Sequence, residues 1–353
     1  MKRITALLVI LALLFALSAC GGGGVIRLTG PDGRGGSYPT ADNPITLKLG
    51  HVGGPTSSLH EAALSIADEV REKSGGAVII EVYPQAQLGD ATIMLDGLAS
   101  GTIEACMVGC NEIATMMPDF YVFVLPFLFE SMSEYQTVVN NPEVKAKCND
   151  ITFDKGIKLV GFSSGEERGF SNTRRAVRSP ADMAGLNIRI MSGSIYVDLF
   201  TELGVGTATM PFGEVYTALQ QGVIQGEDNG VGMLVDMRFS EVEKFHTALI
   251  HMLQSNPLLI SLEVWDKLSP EQQQIIIDAE AGWVENYYDF YEAYIEGKTR
   301  RALEDGVEIV YLTSEERAVF IEASRNVHDK YAAMVDLDLL ILVTRLVDEY
   351  RYG

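Results

Sequence analysis

Residues 46–83 read TLKLGHVGGPTSSLHEAALSIADEVREKSGGAVIIEVY, and they predict the fold class more directly than any other part of the chain. Apolar residues alternate over Thr46–Val52, which is typical of a half-buried strand. Ser58 and Glu61 form a capping box at the start of an amphipathic helix. After a glycine pair, Val78–Tyr83 has the continuous apolar run of a buried strand. A strand, a helix and a second strand in this order predict an α/β fold.

The same alternation continues along the rest of the chain. Asp90 is placed to cap a second helix, and further strands are predicted at Ile103–Cys110, Ile157–Phe162 and Asn187–Met191. About 310 residues of folded chain exceed what a single hydrophobic core usually holds. We therefore expect two α/β lobes.

A long helix is predicted near the C-terminus. Ser269–Gln272 contain an N-cap serine, a proline at the first helical position and a glutamine that completes a capping box. The helical pattern continues to about Glu304, which corresponds to ~35 residues and ~50 Å. Since this length exceeds the diameter of one lobe, we expect the helix to brace both lobes, unless Gly282 or Gly297 breaks it.

The N-terminus has the features of an export signal. Lys2 and Arg3 precede a short apolar run that ends at Leu17–Cys20, a small-residue cleavage site. Leu-Ser-Ala-Cys is a pattern after which the new N-terminal cysteine is acylated, so Cys20 is the expected lipid attachment point. An ordinary secretory signal is the alternative. The glycine-rich residues after Cys20 carry too little apolar surface to fold, so we expect a flexible tether.

These features divide the chain into four predicted parts. They are a lipoprotein signal peptide at 1–19, a lipidated cysteine and tether at 20–44, lobe 1 at 45–165 with about 254–293, and lobe 2 at 166–253 with about 294–353. The protein is therefore expected in the periplasm or otherwise outside the cytoplasm, held to a membrane by its lipid.

Composition excludes several classes of function. The chain has 27 basic against 48 acidic side chains, a formal net charge of −21, which rules out nucleic acid as a partner. The sequence shows no metal-binding histidine spacing and no phosphate-binding motif, so neither metal nor cofactor is predicted. Cys106 and Cys110 would lie ~13 Å apart in one strand, too far for a disulfide. We expect them and Cys148 as buried thiols.

One motif could belong to an enzyme. Residues 161–165 read GFSSG, which fits the G-x-S-x-G nucleophile elbow with Ser163 as the nucleophile. Such an elbow requires a helix directly after the serine, but Glu166–Asn172 shows no helical apolar period. A secreted esterase using Ser163 is therefore kept as an alternative to a binding protein.

Two arginines stand out as candidate ligand contacts. Arg189 lies in the middle of the apolar strand Asn187–Met191, and Arg168 lies in a glycine-rich segment after another predicted strand. A guanidinium among apolar residues needs an anion, which is either an internal carboxylate or a ligand carboxylate in a cleft. These residues alone leave both possibilities open. His51 and His60 flank the loop after the first strand and could also reach a ligand.

Residues 210–229 read MPFGEVYTALQQGVIQGEDN, and this long stretch resembles the substrate-binding subunits of TRAP transporters, the C4-dicarboxylate-binding family. Together with shorter matches elsewhere, the resemblance covers about residues 45–350. It implies a two-lobed α/β periplasmic solute-binding protein, type II-like, that closes on a small carboxylate. It also implies delivery of that carboxylate to a membrane permease driven by an ion gradient. The shorter matches are Leu49–Val52, Gln87–Gly89, Leu125–Phe129, Ser179–Arg189 and Trp265–Ser269.

The resemblance also implies roles for individual residues. Arg189 matches the arginine that clamps the ligand carboxylate in a bidentate pair, and Arg168 matches a second cation near the same group. Asn229 matches an asparagine that hydrogen-bonds the ligand. A sensory lipoprotein that binds the same ligand, but serves no permease, is a further alternative.

The chain departs from the family pattern at two places. Gly226–Gly230 reads GEDNG where such proteins usually read GQENP, which adds an acidic side chain near the site. Val52 and Gly109 lack the polar side chains with which some relatives read hydroxyl or amine groups. This second departure predicts a simple carboxylate ligand rather than a sugar acid.

Overall fold

Two β-sheets organise the residues that this computed structural model describes, which are 38–191 and 193–353. The signal peptide and Cys20 lie outside the described residues. The strands are β1 (Ile45–Gly50), β2 (Val78–Tyr83), β3 (Ala105–Met107), β4 (Ile157–Gly161), β5 (Gly165–Asn172), β6 (Asn187–Ile190), β7 (Gly206–Thr209), β8 (Gly226–Glu227), β9 (Phe245–Ser255), β10 (Leu258–Ser261) and β11 (Glu308–Tyr311). The helices are α1 (Ser58–Lys73), α2 (Ala91–Ala99), α3 (Cys110–Met116), α4 (Met132–Val139), α5 (Pro142–Phe153), α6 (Ser194–Glu202), α7 (Val215–Gln220), α8 (Val231–Asp236), α9 (Leu262–Trp265), α10 (Pro270–Glu304), α11 (Ser314–Ala332) and α12 (Leu337–Tyr352). Short 3-10 helices occur at Pro118–Val124, Pro180–Met183, Phe212–Glu214 and Phe239–Glu241.

The first sheet has the strand order β2-β1-β3-β10-β4. β1 runs parallel to β2 and β3, whereas β10 runs antiparallel to β3 and β4. The predicted strand–helix–strand unit is therefore confirmed. The N-cap of α1 is Ser57 rather than Ser58, because its Oγ accepts from the backbone N–H of His60 at 3.3 Å.

The second sheet has the strand order β11-β9-β5-β8-β6-β7. β5 pairs antiparallel with β9 and β8, while β6 pairs parallel with β8 and β7. In this register Arg189 of β6 lies beside Glu227 of β8. The two-lobed α/β architecture predicted from the sequence is confirmed.

The chain passes twice between the sheets at adjacent positions. Residues 162–164 join β4 to β5, and residues 256–257 join β9 to β10. The two connections are tied together, since the backbone N–H of Asn256 and the hydroxyl of Ser255 both donate to the Ser164 carbonyl at 2.9 Å. This double crossing fixes where the two sheets face one cleft.

The predicted long helix is confirmed as a single element, α10, with 35 residues. Ser269 caps it in a capping box with Gln272, and neither glycine within it breaks the helix. α10 contacts α1, which lies over the first sheet, and α8, which follows β8 of the second sheet. It therefore spans both lobes as expected.

The C-terminal helices also pack against several earlier elements. α11 contacts α6 and Pro118–Val124, and α12 contacts α4 and α5. The lobe boundaries drawn from the sequence stay a prediction. Within the part of the chain that is described, no helix combines the length and the apolar character needed to cross a bilayer.

The strand predicted at Ile103–Cys110 is shorter in the structure, where β3 covers Ala105–Met107, so the predicted bounds are wrong. β3 ends at Met107, and Gly109 acts as the N-cap of α3 with φ −68° and ψ 149°. Glu112 lies in the first turn of that helix, where an acidic side chain is favoured by the helix dipole. Cys106, Cys110 and Cys148 are buried free thiols, as expected.

Candidate functional site

A cavity of about 200 Å³ lies where the two sheets face each other. Asp90 and Glu112 line it from the N-terminal ends of helices that flank the first sheet. Arg168, Arg189 and Asn229 line it from strands and a strand end of the second sheet. A cavity of this size and polarity suits a small polar molecule.

Arg189 is held in the cavity wall with part of its guanidinium unsatisfied. The side chain is only 5% exposed, and its Nε donates to the Met210 carbonyl at 3.3 Å. Its guanidinium carbon lies 5.3 Å from the centre of the Phe212 ring. Among the described residues, Nη1 has no hydrogen-bond partner and Arg189 forms no ion pair. Burial, and then the neighbouring Arg168, lower the pKa of Arg189 to about 10, so it stays a cation at neutral pH.

Arg168 is also buried, at 1% exposure, but its donors are all engaged. Nε donates to Asp228 Oδ1 at 3.1 Å, and Nη1 donates to Glu166 Oε1 at 2.9 Å. Nη1 also donates to Gln254 Oε1 at 2.7 Å, and Nη2 donates to Asn229 Oδ1 at 3.2 Å and to the Asp228 carbonyl. The internal ion pair that the sequence left open is therefore present for Arg168.

Asn229 connects Arg168 to the acidic residue that departs from the family pattern. Its Oδ1 accepts from Arg168, and its Nδ2 donates to Glu227. Burial, and then the adjacent Asp228, raise the pKa of Glu227 to about 8. Glu227 is therefore mostly protonated at neutral pH, so the added acid contributes little negative charge to the site.

His51 and His60 lie together beside the cavity and do not line it. His51 Nε2 is 3.1 Å from His60 Nδ1, and His51 is fully buried. Burial, and then His60, lower the pKa of His51 to about 3, so it is neutral. Val52 and Ser57 of the same loop line the cavity instead.

Ser163 has none of the surroundings of a nucleophile elbow. It is buried, and its Oγ donates to Glu280 Oε1 at 3.2 Å. The residues that follow form the strand β5 rather than the helix that an elbow requires. The geometry therefore gives no support to an esterase.

The polar residues of the cavity wall that sequence reasoning missed include Glu112, Glu166 and Gln254. Glu166 and Gln254 are opposite each other in the antiparallel β5–β9 pair, and this pairing brings both to the site. Glu112 was missed because the strand was predicted to continue to Cys110, so the helix that carries Glu112 was not expected. Burial raises the pKa of Glu112 to about 7, although Asn111 acts in the opposite direction.

A hydrogen bond joins the two sides of the cleft at its edge. Asp236, the last residue of α8, accepts from the Thr56 hydroxyl at 2.6 Å. Thr56 belongs to the loop after β1 of the first sheet, and α8 follows β8 of the second. Tyr294 and Lys298 of α10 donate to the same carboxylate. Asp236 therefore links both lobes and the long helix.

Comparison with known proteins gives one consistent result. The model of the family described as bacterial extracellular solute-binding protein, family 7 (DctP) matches residues 49–334. The 2,3-diketo-L-gulonate-binding periplasmic protein of Escherichia coli K12 is 29% identical over 287 residues, which are 80% of this chain and 85% of that protein.

Solved structures agree with this match over most of the chain. A TRAP periplasmic solute-binding protein from Haemophilus influenzae with bound L-gulonate is 26% identical, with a TM-score of 0.79, and covers 86% of this chain and 99% of its own. Another from Xanthobacter autotrophicus Py2 with bound β-D-galacturonate is 25% identical, with a TM-score of 0.80, and covers 85% of this chain and 99% of its own.

Proposed function

Because this chain belongs to family 7 of the bacterial extracellular solute-binding proteins, the DctP family, we propose that Arg189 holds the carboxylate of its ligand. The protein is the solute-binding component of a TRAP transporter, which binds a small organic acid and works with a membrane permease. It is a binding protein and not an enzyme, which sets aside the esterase alternative. The same family membership favours a role in transport over the alternative of a sensory lipoprotein.

The observation that carries the proposal is the unsatisfied guanidinium of Arg189 in the cavity wall. Burying a cation without a partner is costly, so a protein keeps such a group where a ligand supplies the counter-charge. A guanidinium also matches a carboxylate in shape, because two parallel N–H groups can donate to its two oxygens. The Phe212 ring packs beside the fork, with its centre 5.3 Å from the guanidinium carbon.

Arg168 and Asn229 have a different proposed role. Arg168 is neutralised by Asp228 and Glu166, so it offers the ligand less charge than Arg189 does. Its contact with Asn229 Oδ1 fixes the orientation of that amide at the cavity wall. We therefore assign Arg168 a positioning role, and Asn229 a hydrogen bond to the ligand through the Nδ2 proton that Glu227 does not accept.

A thermal-shift screen of the purified protein tests the proposed function. We expect a rise in Tm with at least one acid from a panel of sugar acids, 2-oxo acids and C4-dicarboxylates. Ligand at 100 times its Kd adds about 2.7 kcal/mol to the free energy of unfolding, which is several degrees. Galactose serves as the neutral counterpart of galacturonate. A rise in Tm with galactose as large as that with the best acid of the panel would show that the site does not recognise a carboxylate.

We also propose that Cys20 carries a lipid that holds the protein to a membrane. The support is the Leu17–Cys20 pattern behind a short apolar run. In cells given a radiolabelled fatty acid, the protein should be labelled and should fractionate with membranes. Cys20→Ser should remove the label, and a labelled Cys20→Ser protein would refute the attachment point.

A further inference from the structure

Glu112 faces the ligand cavity from the first sheet, whereas Arg189 faces it from the second. The Glu112 side chain is 7% exposed. Its Oε2 atom has no hydrogen-bond partner among the residues that the structure describes. A buried carboxyl oxygen without a donor is costly, so a donor is expected from whatever fills the cavity.

The carboxyl group of Glu112 lies close to Gly109, which has no side chain. A Cβ atom placed on Gly109 would lie 2.6 Å from Glu112 Oε2, and still closer to Gln254 Nε2 and Asn111 Oδ1. No side chain other than hydrogen fits there without displacing these groups. The absence of a polar side chain at position 109 therefore does not leave an undecorated cavity, because Glu112 occupies the space.

The other charged groups of the cavity wall already have partners within the protein. Glu166 pairs with Arg168, and Asp90 Oδ1 accepts from the backbone N–H of Ile93 as a helix cap. Among the described charged residues that line the cavity, this leaves Arg189 and Glu112 with unsatisfied buried atoms. A second carboxylate on the ligand would meet acids rather than another open guanidinium.

We propose that Glu112 is a specificity-determining residue, which accepts a hydrogen bond from a hydroxyl or ammonium group of the ligand and repels a second carboxylate. The inference rests on the proposed carboxylate clamp at Arg189. A donor that meets an ionised carboxyl group makes a strong hydrogen bond, and like charges placed together in a closed site are strongly disfavoured. The preferred ligand is then a monocarboxylate with a hydrogen-bond donor, and not a dicarboxylate.

Titration calorimetry on the full chain at pH 8 tests this inference, because Glu112 is mostly ionised there. The probes are L-gulonate, D-galacturonate and D-erythronate, against butyrate, hexanoate, succinate and adipate. We expect at least one hydroxylated acid to bind at least about tenfold more tightly than any plain acid or dicarboxylate. Glu112→Ala should reduce this ratio at least fivefold, and Glu112→Gln should strengthen succinate or adipate binding. Asp68→Asn removes the same charge from an exposed position and should change neither.

Two results would overturn the proposal. One is wild-type binding of succinate or adipate as tight as that of every hydroxylated acid, and the other is a Glu112→Gln variant with an unchanged ratio. Failure of the clamp gives a different pattern, in which no acid binds or binding survives Arg189→Ala. That pattern refutes the function on which this inference depends.

Discussion

Arg189→Ala is expected to weaken binding of the captured acid at least about 100-fold, because it removes two charge-assisted hydrogen bonds of roughly 1.5–3 kcal/mol each. The fold should not suffer. Arg189 forms no ion pair with a described residue, so its removal leaves no buried carboxylate stranded. The free energy of unfolding without ligand should stay constant or rise. Calorimetry and urea unfolding of the same variant measure both quantities.

Two further variants sharpen the result. Arg189→Lys keeps the charge but loses the fork, so most of the affinity should still be lost. Arg178→Ala removes an exposed arginine that pairs with Glu316, and it should leave ligand binding unchanged. Binding within threefold of the wild type in Arg189→Ala would show that the ligand carboxylate lies elsewhere.

Arg168→Ala should have the opposite profile, with a loss of about 3–5 kcal/mol in the free energy of unfolding. The substitution leaves the buried Asp228 and the partly exposed Glu166 without their cation, and it deprives Gln254 of its donor. The pKa of Asp228 is now held below its usual value by Arg168 and then His251, against the effect of burial. The variant should therefore be destabilised most strongly at neutral and higher pH, where Asp228 would be ionised without the Arg168 cation.

A double variant provides the control for this prediction. Arg168→Gln with Asp228→Asn removes both charges, so it should recover part of the stability that Arg168→Gln alone loses. Urea unfolding at pH 7 gives both values. A loss below about 1 kcal/mol in Arg168→Ala would contradict the assignment of Arg168 as a buried structural cation.

The sequence was sufficient to place the two arginines but not to distinguish them. Both stand in apolar or glycine-rich surroundings, and both match family positions. Arg168 donates hydrogen bonds to Asp228 and Gln254, which are 60 and 86 positions away along the chain. Only the pairing of β5 with β8 and β9 brings them together, and no local pattern indicates that pairing. Whether Arg168 or Arg189 keeps unpaired N–H groups for a ligand is therefore decided by the fold and not by the local sequence.

The sequence predicted the structure best where a feature depends on only a few neighbouring residues. The cap at Ser269 and the length of α10 could be predicted, because capping and helical periodicity act over a few residues. The segment around Gly109 failed because an apolar run after a strand looks the same whether the strand continues or a buried helix begins. That single error concealed Glu112.

The hydrogen bond between Thr56 and Asp236 has a consequence for the speed of transport. Thr56 lies in the loop after β1 of the first sheet and Asp236 ends α8, which follows β8 of the second sheet, so opening of the cleft breaks the bond. A contact worth about 1 kcal/mol that must break before the ligand leaves lengthens the ligand's residence time about fivefold. The same contact must be broken before the permease receives the acid. The Asp236 carboxylate therefore favours tight capture of the ligand and opposes its rapid release to the permease, although it does not itself line the cavity.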